Sequence, residues 1–364
     1  MWSKNLSVAA TLAFSLTNNV GAAMDLDDVQ LPPGFSIEIY AEVDNARSLA
    51  LGSNGVVFVG NRGSDSVYAI VPRAGASNRV VEIADDLSMP NGIAYHDGDL
   101  YVAEISRVLV YRDIDKKIDK PPKPEILDIE LPSKRHHGWR YIGFGPDNHL
   151  YIAIGAPCNI CDEDGFGRII RMNPDGSDLE TFALGIRNSV GFTWHPDTGD
   201  LWFTDNGRDM LGDDLPPDEL NHAPSKGLHF GYPFCHGGEI LDPEFGDGRN
   251  CEDYTSPAQK LGAHVASLGV KFYTGTMFPE EYRGQILIAE HGSWNRSKKV
   301  GYRISMVRME EGEPASYDVF ADGWVQGQDT KGRPVDLLVL DDGSLIVSDD
   351  SNGLVYRISY EEPQ

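Results

Sequence analysis

The sequence predicts an all-β fold, a β-propeller of four-stranded antiparallel blades. Three observations carry that expectation. A short phrase occurs six times along the 364 residues: a turn rich in Gly, Asp or Asn, then an aliphatic residue, a bulky apolar residue and an alternating strand. Its bulky position recurs after about 43, 50, 51, 85 and 59 residues, the range of propeller blades rather than of βαβ units. Helical periodicity is scarce throughout.

At the N-terminus, Lys4 precedes an apolar run from Leu6 to Leu16 and a small-residue stretch ending Val20-Gly21-Ala22-Ala23. This is the layout of a secretory signal peptide, residues 1–23, cleaved near Ala22 or Ala23 and too short to span a bilayer. Residues 24–364 carry no Ser/Gly/Pro-rich linker and are expected to form one propeller domain. Export implies a periplasmic or secreted protein in an oxidising compartment.

Pro33-Gly34-Phe35-Ser36-Ile37-Glu38-Ile39-Tyr40 alternates apolar and polar residues. It is expected to close the ring by completing the last blade beside the strands near Leu337 to Ile358. The six phrases centre on Phe58, Tyr101, Tyr151, Trp202, Leu287 and Ile346. Most are soon followed by a second apolar strand, as at Val67-Tyr68-Ala69-Ile70 and Val108-Leu109-Val110-Tyr111. Asp113 to Pro124, rich in Lys, Asp and Pro, reads as a solvated loop between blades. The longest interval, Phe203 to Ile286, holds Asp213-Asp214 and Asp218-Glu219, whose common fate is a solvated acidic face, although such a loop is also a place to look for calcium.

A formal charge of −25 excludes nucleic acid and anionic membrane surfaces as natural partners, since both require a basic footprint. Of the four cysteines, Cys158-Asn159-Ile160-Cys161 is open to reading as a redox pair, half a zinc site or a local disulfide. Cys235 and Cys251 stand too far apart for a zinc ribbon. Two structural disulfides are expected, Cys158 with Cys161 and Cys235 with Cys251, the second worth about 3 kcal/mol on the chain-entropy model.

Four polar clusters stand at comparable places in successive repeats: His136-His137-Gly138-Trp139-Arg140, Gly185-Ile186-Arg187-Asn188, Asp205-Asn206-Gly207-Arg208-Asp209 and Gly332-Arg333-Pro334-Val335-Asp336. In a propeller, equivalent offsets in different blades lie at one end of the central channel. The clusters should therefore converge.

These strings, with Asn221 and His291-Gly292-Ser293-Trp294-Asn295-Arg296, resemble the soluble quinoprotein sugar dehydrogenases, in the sorbosone and aldose sugar dehydrogenase-like branch. The resemblance spans roughly Leu31 to Ile358. It implies a six-bladed propeller holding pyrroloquinoline quinone (PQQ) and calcium, oxidising an aldose at C1 or a related sugar aldehyde. By the same resemblance a His is the general base, and the alignment places it on His136, with His137 as the rival. Arg187 and Asn188 would contact the cofactor, Arg187 also stabilising developing negative charge, and Arg333 would bind a cofactor carboxylate. The carbonyl oxygens of Gly207 and Arg208 match the calcium ligands.

There are departures. Arg135 stands where better-known members carry an acidic residue, and a cation there would lower the imidazole pKa. The cofactor-binding Lys has Arg296, Lys298 and Lys299 as candidate counterparts, and Val335 replaces a second Arg. A haem motif is missing from the sequence, so electrons are expected to leave to a separate acceptor, a quinone or a cytochrome. A calcium-dependent propeller lactonase and a non-catalytic extracellular binding propeller are the other readings considered.

Overall fold

The computed structural model describes residues 24–363, so the expected signal peptide lies outside the described residues. Six four-stranded antiparallel units succeed one another along the chain. Blade 1 comprises Ala46–Leu51, Val57–Asn61, Val67–Val71 and Arg79–Ala84; blade 2 comprises Gly92–His96, Asp99–Ala103, Val108–Tyr111 and Glu125–Ile126. Blade 3 runs Ile142–Phe144, Leu150–Ile154, Arg168–Met172 and Glu180–Leu184, with Leu228–His229 added in parallel at its outer edge. Blade 4 is Phe192–Trp194, Leu201–Asp205, Pro217–Ala223 and Gln259–Ala263, and blade 5 is Ser267–Phe272, Ile286–Glu290, Arg303–Glu310 and Glu313–Ala321. Blade 6 takes three strands from the C-terminal end, Pro334–Val339, Leu345–Asp349 and Leu354–Tyr360, and its fourth from Phe35–Glu42. That strand pairs Phe35 with Tyr360 and Glu42 with Leu354, closing the ring as the alternation predicts.

The repeated phrase is the second strand of each blade. Those strands are buried almost throughout because each is covered on both faces by a neighbouring blade. The core accordingly lies in layers between blades. Trp202 and Leu220 of blade 4 pack on Val270, Ile286 and Ile288 of blade 5. Leu287 and Ile304 of blade 5 pack on Leu337, Leu345 and Val347 of blade 6. Each such side chain, fully buried, contributes about 1.5–3 kcal/mol.

Around the channel the first strands approach so closely that glycine is required. A Cβ on Gly191 would lie 2.1 Å from the carbonyl oxygen of Leu268, and one on Gly269 would lie 2.5 Å from a carboxylate oxygen of Asp336.

Two segments differ from the sequence expectation. Asp113 to Pro124 lies within blade 2, between its third and fourth strands, and anchors there through the fully buried Ile114. Asp218 and Glu219 are buried in the third strand of blade 4, whereas Asp213 and Asp214 are not. Their composition reads as a solvated face because it does not show the backbone N–H groups waiting for them. Both expected disulfides are present, Cys158–Cys161 and Cys235–Cys251. Among the described residues, no helix is long and apolar enough to cross a membrane.

Candidate active site

Because the first two strands of a blade are antiparallel, the start of the first and the end of the second share one rim. Ala46 pairs with Asn61, Ser267 with Glu290 and Pro334 with Asp349. Residues flanking these pairs therefore meet from around the ring. Arg62, Asn206 and His291 directly follow second strands, while Arg187, Asn188, Ala266 and Arg333 precede first strands. With Arg47, His137, Trp139, Gly207, Asp209, Asp218, Trp294 and Asn295 they line a cavity of about 270 Å³.

His137 occupies the left-handed region at φ 46°, uncommon for a residue with a side chain. The turn that imposes this is closed by Gly138 N donating to Arg135 O at 3.0 Å. It buries the imidazole against the cavity with Nδ1 2.8 Å from the carbonyl oxygen of Ala156. A carbonyl only accepts, so Nδ1 carries the proton and Nε2 holds the lone pair. Burial holds the His137 pKa well below the usual imidazole range, with further lowering by the charges of Arg187 and His136. His136, its ring centroid 4.1 Å away, is exposed and does not line the cavity. Its pKa is also lowered, by burial and then by Arg187. The cation acting on both rings is thus Arg187, where the sequence points to Arg135.

The backbone carrying Arg187 and Asn188 is held by one carboxylate. Asp205 accepts from Arg187 N at 2.7 Å and from Asn188 N at 2.6 Å, and burial raises its pKa well above the carboxylate range, with Glu219 adding to the rise. The Arg187 guanidinium donates to Asp209 Oδ2 and Asn159 Oδ1, each at 2.9 Å, to the Asn159 carbonyl at 2.9 Å and to the Asn206 carbonyl at 3.2 Å. Asp218 accepts from Gly207 N at 3.0 Å and Ser267 N at 2.9 Å, its pKa pushed up to about 6 by burial. Glu219 accepts from Gly237 N at 2.7 Å, and burial pushes it up to about 7.

Gly207 N is thus turned toward Asp218, while the carbonyl oxygens of Gly207 and Arg208 accept no hydrogen bond among the described residues. The Arg208 side chain points elsewhere, into Asp242 at 2.5 Å and Glu244 at 2.9 Å. Asp242 also accepts from His236 Nε2 at 2.9 Å, so the loop closed by Cys235–Cys251 is tied to the loop bearing Gly207.

On the facing wall, Arg47 donates to Asn91 Oδ1 at 2.8 Å and to Asp350 Oδ2 at 2.5 Å, and Asp350 Oδ1 lies 2.8 Å from His291 Nε2. Arg333 donates only to carbonyls, His291 O at 3.0 Å and Gly292 O at 2.8 Å. Arg296 and Lys299 are outside the cavity: Arg296 is taken up by Asp213 O and Asp214, and Lys299 by Thr330 Oγ1 at 2.8 Å.

Sequence reasoning brings together His137, Arg187, Asn188, Gly207 and Arg333 and passes over Arg47 and Arg62. A usable signal existed for Arg62. It stands one residue beyond the second strand of its blade, the offset also held by Asn206 and His291.

Residues 125–357, well over half of the chain, match the family described as Glucose / Sorbosone dehydrogenase. The chain belongs to that family. This glucose/sorbosone dehydrogenase family member is also 33% identical, over 371 residues and 97% of its length, to an uncharacterized protein of Borreliella burgdorferi, of which 96% is covered. Its fold is that of the calcium structure of a Trichoderma reesei carbohydrate-active enzyme of family AA12, at TM-score 0.81 and 20% identity over 92% of this chain and 97% of the other. The PQQ domain of pyranose dehydrogenase from Coprinopsis cinerea, in holo form, superposes at TM-score 0.77 and 19% identity over 91% and 97%. PQQ-bound aldose sugar dehydrogenase from Streptomyces coelicolor gives TM-score 0.62 and 17% identity over 91% and 100%.

Proposed function

We propose that this chain oxidises an aldose, at its C1 hydroxyl, or a related sugar aldehyde, using PQQ and calcium held in the rim cavity. The observation that carries the reading is charge. A chain of net charge −25 turns four guanidinium groups, Arg47, Arg62, Arg187 and Arg333, into one small cavity beside a neutral imidazole. Two carboxylates, Asp209 and Asp218, line it with them; Arg187 pairs with Asp209 and Arg47 with Asp350 behind the wall, which leaves Arg62 and Arg333 without a carboxylate partner among the described residues. Such a surplus fits a compact polyanion, and PQQ is a planar tricarboxylate. When bound, PQQ supplies the two-electron sink that protein side chains lack.

The chain's own residues then have separable tasks. His137, with its Nε2 lone pair directed by the Nδ1 bond to Ala156, takes the proton from the sugar hydroxyl. This reverses the order of preference between His136 and His137. Arg187 and Arg333 bind anionic oxygen, Arg187 from a guanidinium already fixed by Asp209 and Asn159. Asn188 offers an amide on the same wall. The free carbonyls of Gly207 and Arg208 are the groups that would hold calcium, an ion that takes oxygen ligands. Trp294, 67% exposed at the rim, presents an apolar face to an entering sugar. The two disulfides support function in an exported, oxidising setting, with electrons passing to a separate carrier.

The test is reconstitution of the purified chain with PQQ and calcium, followed by dye reduction with a panel of aldoses. Turnover that requires both additions and a sugar is the expected outcome. Absence of quinone reduction with every aldose and sugar aldehyde in the panel would refute the proposal.

A further inference from the structure

Residues 156–161 form a strap that ties the buried imidazole, the Arg187 guanidinium and the Gly207 loop together. In the turn after the second strand of blade 3, Ala156 O accepts from His137 Nδ1 at 2.8 Å, and Ala156 N donates to Arg187 O at 2.7 Å. Further along, Asn159 is bonded on every side. Its carbonyl accepts from Arg187 Nε at 2.9 Å, its Oδ1 accepts from Arg187 Nη2 at 2.9 Å and from Asp209 N at 2.8 Å, and its Nδ2 donates to Asp209 O at 3.1 Å. One residue thus registers the Arg187 fork against the loop that carries Gly207.

What holds Asn159 there is covalent. Cys158 and Cys161 flank the strap's central residues and are joined by a disulfide at a sequence separation of 3, and Cys161 N donates to Tyr232 Oη at 3.0 Å. So short a ring leaves the enclosed backbone few conformations, and opening it loosens Asn159 before anything else. The bond is reachable. Cys161 lines a second cleft, of about 210 Å³, with Phe166, Tyr232 and Phe234, whereas Cys235 and Cys251 are buried. Thiol–disulfide exchange needs such access. Asp162, Glu163 and Asp164 border the cleft, which repels anionic thiols and leaves a neutral dithiol as the fitting reductant.

We propose that Asn159 is the positioning residue for the Arg187 fork, and that the Cys158–Cys161 disulfide is the staple through which a dithiol releases it. In that step the S–S bond breaks and each sulfur becomes a thiol, while the dithiol gives up two electrons and two protons and closes to its own disulfide. Arg187 then keeps Asp209 Oδ2 and the Asn206 carbonyl but loses its bonds to Asn159. The release of the fork does not depend on the proposed function; its effect on turnover does.

The test follows the ligand-free chain before and after dithiothreitol under native conditions, with free thiols located by alkylation and mass spectrometry and backbone amides followed by hydrogen–deuterium exchange. Reduction confined to Cys158 and Cys161 is expected, and the Asp209 amide, which donates to Asn159 Oδ1, should exchange about five- to tenfold faster. Strand amides of the blades should keep their protection, and the melting temperature should fall by a few degrees at most, because so short a loop removes little chain entropy. Cys158→Ser combined with Cys161→Ser should reproduce the reduced state and be indifferent to the dithiol. Asn159→Ala should free the same amide with the disulfide intact, and Asn159→Asp, which retains the acceptors for Arg187 and Asp209, should recover most of the protection. In the chain reconstituted with PQQ and calcium, reduction and Asn159→Ala should each lower kcat by about 10- to 100-fold. Reoxidation should restore the reduced wild type.

A disulfide that resists the dithiol, an Asp209 amide unchanged after its reduction, or exchange that spreads through the blades overturns the proposal. So does unchanged turnover in an active chain once that amide is released. A wild type without turnover removes the proposed function and leaves the exchange result to decide the staple.

Discussion

Two walls of the same cavity are built on opposite principles. On the wall from blades 3 and 4 the backbone and the guanidinium are braced by carboxylates and an amide: Asp205 holds the Arg187–Asn188 backbone, Asp218 holds Gly207, and Asn159 and Asp209 hold the Arg187 fork. The wall from blades 6 and 1 carries Arg62 and Arg333 with no carboxylate to neutralise them. The difference separates geometry from charge. The braced wall holds a buried imidazole and a guanidinium in fixed positions, as the proposed chemical step would need, while the unbraced wall leaves its positive charge without a carboxylate partner.

The comparison breaks first at His137. Changing His137→Gln should lower turnover of the reconstituted enzyme by about 10²- to 10⁴-fold, while His136→Gln changes it little. Steady-state dye reduction by both variants checks this, and equal losses would remove the distinction between the buried and the exposed ring.

Next in size is the bracing itself. Asp205→Ala leaves two buried backbone N–H groups without a partner and should cost about 2–5 kcal/mol in urea unfolding. Replacing both Cys235 and Cys251 by Ser should cost about 3 kcal/mol. On the proposed placement of calcium at the Gly207 and Arg208 carbonyls, that replacement should also weaken calcium affinity, because the loop it frees is tied to Arg208. A loss of stability with calcium affinity intact would separate the disulfide loop from the site.

The smallest expected effect is in pH dependence. Glu219 has its pKa raised by burial from 4.5 to about 7. The folded chain therefore keeps a proton that the unfolded chain releases. This contribution to stability is fully present below pH 4.5 and is lost as pH rises through about 7. His137, lowered by burial, acts in the opposite sense: its neutral buried form favours folding above pH 6.5 and loses that advantage as the medium acidifies. Glu219→Gln should flatten the decline in stability between pH 5 and 8, by on the order of 2 kcal/mol. Urea midpoints across that range measure it, and a slope as steep as in wild type would place the titrating group elsewhere.

The second strands were legible because burial on both faces makes each a run of bulky apolar residues, Val57-Phe58-Val59 or Leu201-Trp202-Phe203. The first strands were not, since close packing around the channel puts glycine and small residues where a periodic signal would need bulk, as at Gly191 and Gly269. The closing strand was found by its alternation, its outer face being exposed. At the site, the His pair was visible, but which of its rings lines the cavity was not. That depends on the positive φ of His137, which turns one ring inward, and no composition records it. Asp218 and Glu219 were misread for a related reason: a carboxylate that accepts backbone N–H groups looks, in sequence, like one that meets water. Arg62 was passed over because Asn61-Arg62-Gly63 reads as an ordinary turn until it is set beside the turns of other blades.

The central claim is that the surplus of guanidinium charge in the rim cavity exists to hold an anionic quinone. Titrating the wild-type chain with PQQ in calcium buffer, while following the quinone absorbance and heat of binding, tests it most directly. The account predicts saturable one-to-one binding that weakens when Arg187 or Arg333 is replaced by Ala, and bleaching of the quinone band when an oxidisable sugar is added. Binding that is absent at a large excess of PQQ, or is indifferent to both substitutions, would contradict it.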